Sequence, residues 1–295
     1  MTALKKILVA SDSLDGMAIA LNKAALVEHY TGAEVEVAEV IWDTIEEEPL
    51  PNPDKANLIE AFMAAERQGL NNLLAPYKER IAWSEAKVLW NKRTDQAICD
   101  EIQAQQADLL IKPGATHALT DYLHAPLDWR LIREAPCPVL ISNSPAWQTG
   151  ANVLAAVDIA DEAHAELSDK VLQTASIIAQ TLDARLHVCC VYSDLGQSVN
   201  ALQVAMDYEG IKADMRHARD QALTATLHRL SISNATAHII EGKPAQGIAH
   251  VAAELDATVT IMGTAARSGL GKLVLGNTAE DTLTRLRSDV ITVRN

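Results

Sequence analysis

The chain runs through one pattern of strands and helices twice, about 150 residues apart, and this repeat constrains its fold more than any other feature. In the first pass, apolar β-branched runs at Ile7–Ala10, Val35–Val40, Ala86–Trp90, Leu109–Lys112 and Pro138–Ser142 read as strands. Between them, Gly16–Tyr30, a long stretch from about Leu58 to Trp83, Asp95–Gln105 and a short segment around Trp129 read as helices. The second pass has strands at Val153–Val157, His187–Tyr192, His238–Ile240, Val259–Met262 and Val290–Arg294. Its helices are Ala163–Leu182, Met206–Leu230, Pro244–Leu255 and a segment after Thr278. The register is tight: Ile98 answers to Ile248, Ala107 to Ala257 and Ile111 to Ile261, while Asp12 and Asp158 each close a first strand.

Strands alternating with helices of 10–20 residues imply right-handed βαβ units and a parallel sheet covered on both faces. The expected fold is therefore α/β: two tandem doubly wound, Rossmann-like domains, each with a five-stranded parallel sheet. The domains are expected over residues 1–146 and 151–295, joined by a linker at Pro145–Gly150. Hydrophobic residues make up 48% of the chain, enough for two cores and too many for a disordered chain. The formal charge of −14 argues against nucleic acid or an anionic membrane surface as a general partner. No apolar run is long enough to cross a bilayer. The four cysteines, Cys99, Cys137, Cys189 and Cys190, form no Cys-x-x-Cys pair and read as buried thiols of a reducing compartment. A cytoplasmic protein is expected.

Thr258–Thr284, TVTIMGTAARSGLGKLVLGNTAEDTLT, carries the strongest sequence signal for chemistry. It reads as a buried strand ending at Gly263, a loop rich in small residues, a second glycine at Gly276, and a helix start. Asn277 with Glu280 three places on fits a capping box in which Asn is the cap. Such an order suits a polyanion, because a glycine turn and a helix start both present unpaired N–H groups. Arg267 and Lys272 bring charge, and Ser268 and Thr278 bring hydroxyl donors. Plain turn chemistry accounts for the loop composition equally well; the stretch is neither a Walker loop nor a Gly-x-Gly-x-x-Gly fingerprint.

The stretch resembles the nucleotide loop of the universal stress protein family, in its tandem two-domain type: Gly, two residues, Gly, nine residues, Gly, then Ser or Thr. Gly263 and Gly276 hold the first and third glycine positions; Ala266 replaces the middle glycine and Asn277 replaces the hydroxyl residue. The resemblance implies the universal stress protein fold and an adenine nucleotide, ATP or a relative, with or without Mg, in the second domain. It puts adenine and ribose at Ala156, Val157 and Asp158, with Val191 and Met262 beside them at strand ends. It puts phosphates along Gly263, Ala266, Arg267, Ser268, Gly276, Asn277 and Thr278. The family's role in the stress response implies a nucleotide-binding regulatory protein. A scaffold with a vestigial pocket and a slow ATP-hydrolysing enzyme are the alternatives, the latter short of an evident base or nucleophile.

The first copy lacks this loop. Pro113 stands where the second copy has Gly263, and Ala125 and Pro126 stand opposite Gly276 and Asn277, so a domain degenerate for nucleotide is expected there. His117, Asp121, His124 and Asp128 lie within twelve residues but match no zinc spacing, so no metal site is assigned. The remaining histidines are scattered, and no catalytic triad is evident. The five tryptophans, Trp42, Trp83, Trp90, Trp129 and Trp147, read as packing residues. The last strand of each copy is short and apolar, and pairing of the two would make an intramolecular pseudo-dimer; a homodimer is a further expectation.

Overall fold

The computed structural model describes residues 4–81, 83–114, 126–144, 146–159, 162–192, 208–264 and 276–294. The chain divides into two compact units, Met1–Ala146 and Trp147–Asn295. Unit 1 runs β1 (Lys6–Ser11), α1 (Met17–Thr31), β2 (Glu34–Ile41), α2 (Asn52–Leu74), β3 (Trp83–Trp90), α3 (Thr94–Gln105), β4 (Leu109–Pro113), α4 (Pro126–Glu134) and β5 (Val139–Ser142). Unit 2 repeats this as β6 (Asn152–Ala156), α5 (Ala165–Thr181), β7 (Arg185–Tyr192), α6 (Tyr208–Arg229), β8 (Ala235–Glu241), α7 (Pro244–Glu254), β9 (Val259–Gly263), α8 (Asn277–Leu283) and β10 (Asp289–Val293).

Within unit 1 the strand order is β3-β2-β1-β4-β5, and within unit 2 it is β8-β7-β6-β9-β10. Every one of these pairings is parallel. The two units are thus doubly wound α/β sheets of the same topology. The order reverses between β1 and β4 in one and between β6 and β9 in the other, and a crevice forms beyond the strand ends at such a reversal. The central strands are buried on both faces, which is why β1, β4, β6 and β9 read as mainly apolar runs, interrupted at Lys112 and Thr260, without period-two alternation.

Three local expectations need correction. The long helix of unit 1 begins at Asn52 and ends at Leu74, with a 3₁₀ turn over Ala75–Tyr77, and Trp83 already belongs to β3. Pro53 fits the first helical turn, where its missing N–H costs nothing. Pro76 cannot continue the hydrogen-bond ladder and ends it. Second, Gly276 rather than Asn277 is the N-cap of α8; Asn277 is its first residue, and no side chain caps it. Third, Trp42 and Trp90 are not core: their indole N–H groups both donate to Oε2 of Glu46, at 2.8 and 2.9 Å, on the exposed rim. The two hydrogen bonds hold the Glu46 carboxyl below its ordinary range. Trp147 does pack inside, donating to Asp289 at 2.5 Å.

The N-terminal half of β7 carries a pH-dependent contact. His187 Nδ1 lies 3.0 Å from His238 Nε2 on β8, and His187 Nε2 is buried without a hydrogen-bond partner among the described residues. Burial lowers both imidazoles from their ordinary value; His187 is lowered further by His238 and Arg185, while Glu254 of α7 partly offsets the shift of His238. A histidine held neutral in the folded state takes up protons more readily once unfolded, so its penalty is absent above about pH 6.5 and grows as pH falls below it. The thermal midpoint of unit 2 is therefore expected to drop between pH 7.5 and pH 5.5, and His187→Leu should flatten that slope. A slope unchanged in the variant would show that other groups govern the acid limb.

Candidate functional site

The carboxyl ends of β6 and β9 border an open cavity of about 480 Å³ in unit 2. Ala156, Val157 and Asp158 reach it from the end of β6, Cys189 and Val191 from β7, and Met262 and Gly263 from β9. Helix α5 contributes Leu167, Ser168 and Val171, helix α7 contributes Pro244 and Ile248, and Gly276, Asn277, Thr278 and Ala279 close the side at the start of α8. Its floor is apolar, and its polar groups gather at two places: Asp158 with His164, and Asn277 with Thr278.

Backbone register builds these walls. Ala156 pairs with Cys189 on one side and Met262 on the other, which brings three strand ends to one level. Val157 N donates to the carbonyl of Cys189 at 3.0 Å and continues that ladder one residue past β6. The Ser168 hydroxyl donates to the carbonyl of Asp158 at 2.9 Å, tying the turn to α5. Gly263 sits against Leu167: a Cβ placed on it would lie 2.7 Å from Leu167 Cδ2, closer than packed atoms approach. Glycine lets α5 pack close to β9 there, and a larger residue would force the Leu167 side chain to shift. Gly276, by contrast, has φ of −66° and is under no conformational demand for glycine.

Burial pushes the Cys189 thiol up to about 12, so it is an inert wall residue and not a nucleophile; Cys137 in unit 1 is in the same condition. Among the described residues no three His, Cys, Asp or Glu side chains gather as a metal site, and no helix is long and apolar enough to cross a membrane.

Of the residues singled out in the sequence, Ala156, Val157, Asp158, Val191, Met262, Gly263, Gly276, Asn277 and Thr278 border this one cavity. Ala266, Arg267 and Ser268 lie outside the described residues, as do His117, Asp121 and His124. Sequence reasoning missed His164, whose Nδ1 stands 3.2 Å from Asp158 Oδ2. It was passed over as one of several scattered histidines. A 3₁₀ turn over Glu162–His164 accompanies its approach to Asp158, six residues earlier.

Unit 1 has different chemistry at the corresponding place. By strand register Lys112 answers to Met262 and Pro113 to Gly263, and α4 aligned on α8 puts Asp128 opposite Ala279. Lys112 Nζ donates to the Pro113 carbonyl at 2.8 Å and pairs with Asp128 Oδ1 at 2.9 Å, with both side chains almost fully buried. Counting back from the left-handed residues Gly32 and Asp183 that follow each helix, Gly16 stands where unit 2 has Leu167. A Cβ on Gly16 would meet Pro113 Cβ at 3.0 Å, so the two copies exchange the large and small partners of one contact.

Two units of five parallel strands each, doubly wound with helices and with a crevice at the strand-order reversal of the second, define a tandem-repeat α/β protein. The family model for the universal stress protein family matches residues 3–143 and again residues 151–294, and the chain belongs to that family. It is 28% identical over 302 residues to a universal stress protein E of Photorhabdus laumondii, spanning 98% of this chain and 95% of the relative. Among solved structures, it is similar to a functionally unknown protein of Pseudomonas aeruginosa PAO1, with 30% identity, a TM-score of 0.71, and coverage of 99% of this chain and 93% of the other. A universal stress protein of Archaeoglobus fulgidus shares the fold at 14% identity, with a TM-score of 0.68 and coverage of 100% and 99%.

Proposed function

We propose that this chain is a stress-response regulatory protein that binds ATP or a related adenine nucleotide in its second unit, and that residues 1–146 form a domain degenerate for that ligand. The observation that carries the reading is the cavity of about 480 Å³, which falls within the 300–1,000 Å³ or so usual for small-molecule sites. It lies at the strand-order reversal, where α/β sheets take their ligands. An apolar floor from Val157, Val191, Ile248 and Met262 suits a purine face, the Asp158 carboxylate suits ribose or base donors, and Asn277 and Thr278 suit phosphate oxygens. Gly263 keeps the β9 end of the cavity free of a side chain. Nucleotide binding would favour one conformation of unit 2 by its differential affinity, which is what a regulatory role requires. In unit 1, Pro113 offers no N–H, and the buried Lys112–Asp128 pair replaces the Met262 and Ala279 that border the cavity of unit 2.

Calorimetry with ATP tests this on the intact chain. One ATP per chain is expected, and Gly276→Pro is expected to weaken it at least about tenfold by deleting one N–H donor at the phosphate end. The φ of Gly276 is one that proline adopts, so loss of the donor rather than distortion at that residue should dominate. Ala125→Pro should leave binding unchanged. Absence of ATP binding, or equal losses in the two variants, would overturn the reading.

A further inference from the structure

The Asp158–His164 contact belongs to unit 2 alone. In sequence, eight residues, 157–164, separate β6 from α5, against five, 12–16, between β1 and α1, and the shorter segment holds no histidine. In unit 1, Asp12 accepts from the Ser11 hydroxyl at 3.5 Å among the described residues. In unit 2 the carboxylate borders the cavity and is more than half exposed, so it would sample several rotamers if nothing held it. Contacts to Ser168 and His164 help to hold the residue. The Ser168 hydroxyl fixes its backbone at 2.9 Å, and the imidazole Nδ1 of His164 stands 3.2 Å from Oδ2. Facing a carboxylate, that nitrogen is the one that carries a proton, in the neutral ring as in the charged one. A carboxylate offers about four lone-pair positions, so one imidazole does not exhaust its capacity to accept.

We propose that His164 is a positioning residue that orients the Asp158 carboxylate toward ligand hydroxyls and thereby makes the unit 2 site select ribose over deoxyribose. The inference rests on the nucleotide reading above and adds to it the positioning residue and the selectivity between ribose and deoxyribose. An acceptor held in place before binding loses less freedom when it engages a donor than a mobile one does, so orientation shows up as selectivity for the ligand that has the donor. The vicinal hydroxyls of a ribonucleotide supply such donors, and a 2′-deoxynucleotide lacks one of them.

The test compares ATP with 2′-deoxy-ATP on the intact chain for the natural protein, His164→Ala and His164→Asn. The natural protein should favour ATP about tenfold, the weight of one hydrogen bond to a charged acceptor. His164→Ala should cut that preference to about two- or threefold, mainly by weakening ATP. His164→Asn keeps an N–H donor close to the place of Nδ1 and should recover most of the preference, which a merely structural role would not produce. A fall in both affinities with an unchanged ratio, a gain in both, or failure of Asn to restore the ratio would overturn the proposal. If the natural protein binds ATP without preference, this inference falls and the nucleotide reading stands; if it binds neither compound, both fall.

Discussion

Lys112→Met is expected to destabilise unit 1 by about 3–5 kcal/mol, and adding Asp128→Ala to it should restore most of the loss. Lys112 and Asp128 are a mutually dependent pair of buried charges, 2.9 Å apart, one on the last turn of sheet at β4 and the other in α4. Burial raises the Asp128 carboxyl above its ordinary range; the Lys112 ammonium opposes this, and the nearby Asp12 reinforces it. Removing lysine alone leaves an uncompensated buried anion, and removing aspartate alone leaves an uncompensated buried cation. Removing both gives the residues that the second copy carries at the equivalent positions, Met262 and Ala279, which occur together in the same fold. Replacing a buried pair by apolar residues is often neutral or better, so the double variant should lie within about 1–2 kcal/mol of the natural protein. The defect of Lys112→Met should also shrink at acid pH, where the stranded carboxyl can take a proton instead of remaining charged. Denaturant titration of the full cycle measures the coupling. Single losses below about 1 kcal/mol that simply add would mean that the pair is not the electrostatic unit its geometry indicates.

The two sheets, their parallel order and the repeat were legible because a strand buried on both faces and an amphipathic helix write different periods into the chain. Boundaries failed where one residue outweighed the period. Pro76 ended a helix that the apolar pattern would have carried on to Trp83, and Gly276 took the cap that Asn277 was expected to hold. The polar groups with the largest consequences were the least legible. Lys112 and Asp128 are sixteen residues apart and meet only because a strand end and a helix converge, and the sequence offered Asp128 a different role beside three possible metal ligands. His164 gained meaning from a 3₁₀ turn that composition does not announce. Glu39 is one of three glutamates of β2, with Glu34 and Glu36, in a strand legible only as a strand, yet β2 is an interior strand of unit 1 and Glu39 is 1% exposed. Periodicity reports which residues repeat along a chain, not which carboxylate ends beneath a helix.

Glu39 is accordingly expected to make stability fall as pH rises through neutrality, and Glu39→Gln to abolish that fall. The carboxyl is pushed up to about 7, first by burial and then by the negative charge of Glu66 on α2. One of its oxygens is buried with no hydrogen-bond partner among the described residues. Its register neighbours, Ser11 on β1 and Val88 on β3, bring no cation to it, and the second copy has the neutral thiol Cys190 at the same register position. A carboxyl with a raised folded-state pKa binds its proton more tightly when folded. The stability it contributes is therefore complete below about pH 4.5, the unfolded value, and is lost as pH rises through about 7. A rise of this size corresponds to roughly 3 kcal/mol at most between the two limits. Glutamine has the shape of the protonated acid and never ionises. Glu39→Gln should thus match the natural protein near pH 5 and exceed it by about 2 kcal/mol at pH 8, the difference allowing for an amide that is also imperfectly satisfied. Glu66→Gln should act in the same direction but more weakly, since it removes only the smaller of the two causes. Chemical denaturation at four or five pH values between 5 and 8 decides it. If the curves of Glu39→Gln and the natural protein run parallel over that range, Glu39 is ionised in the fold at all of these pH values, and a cation must reach it.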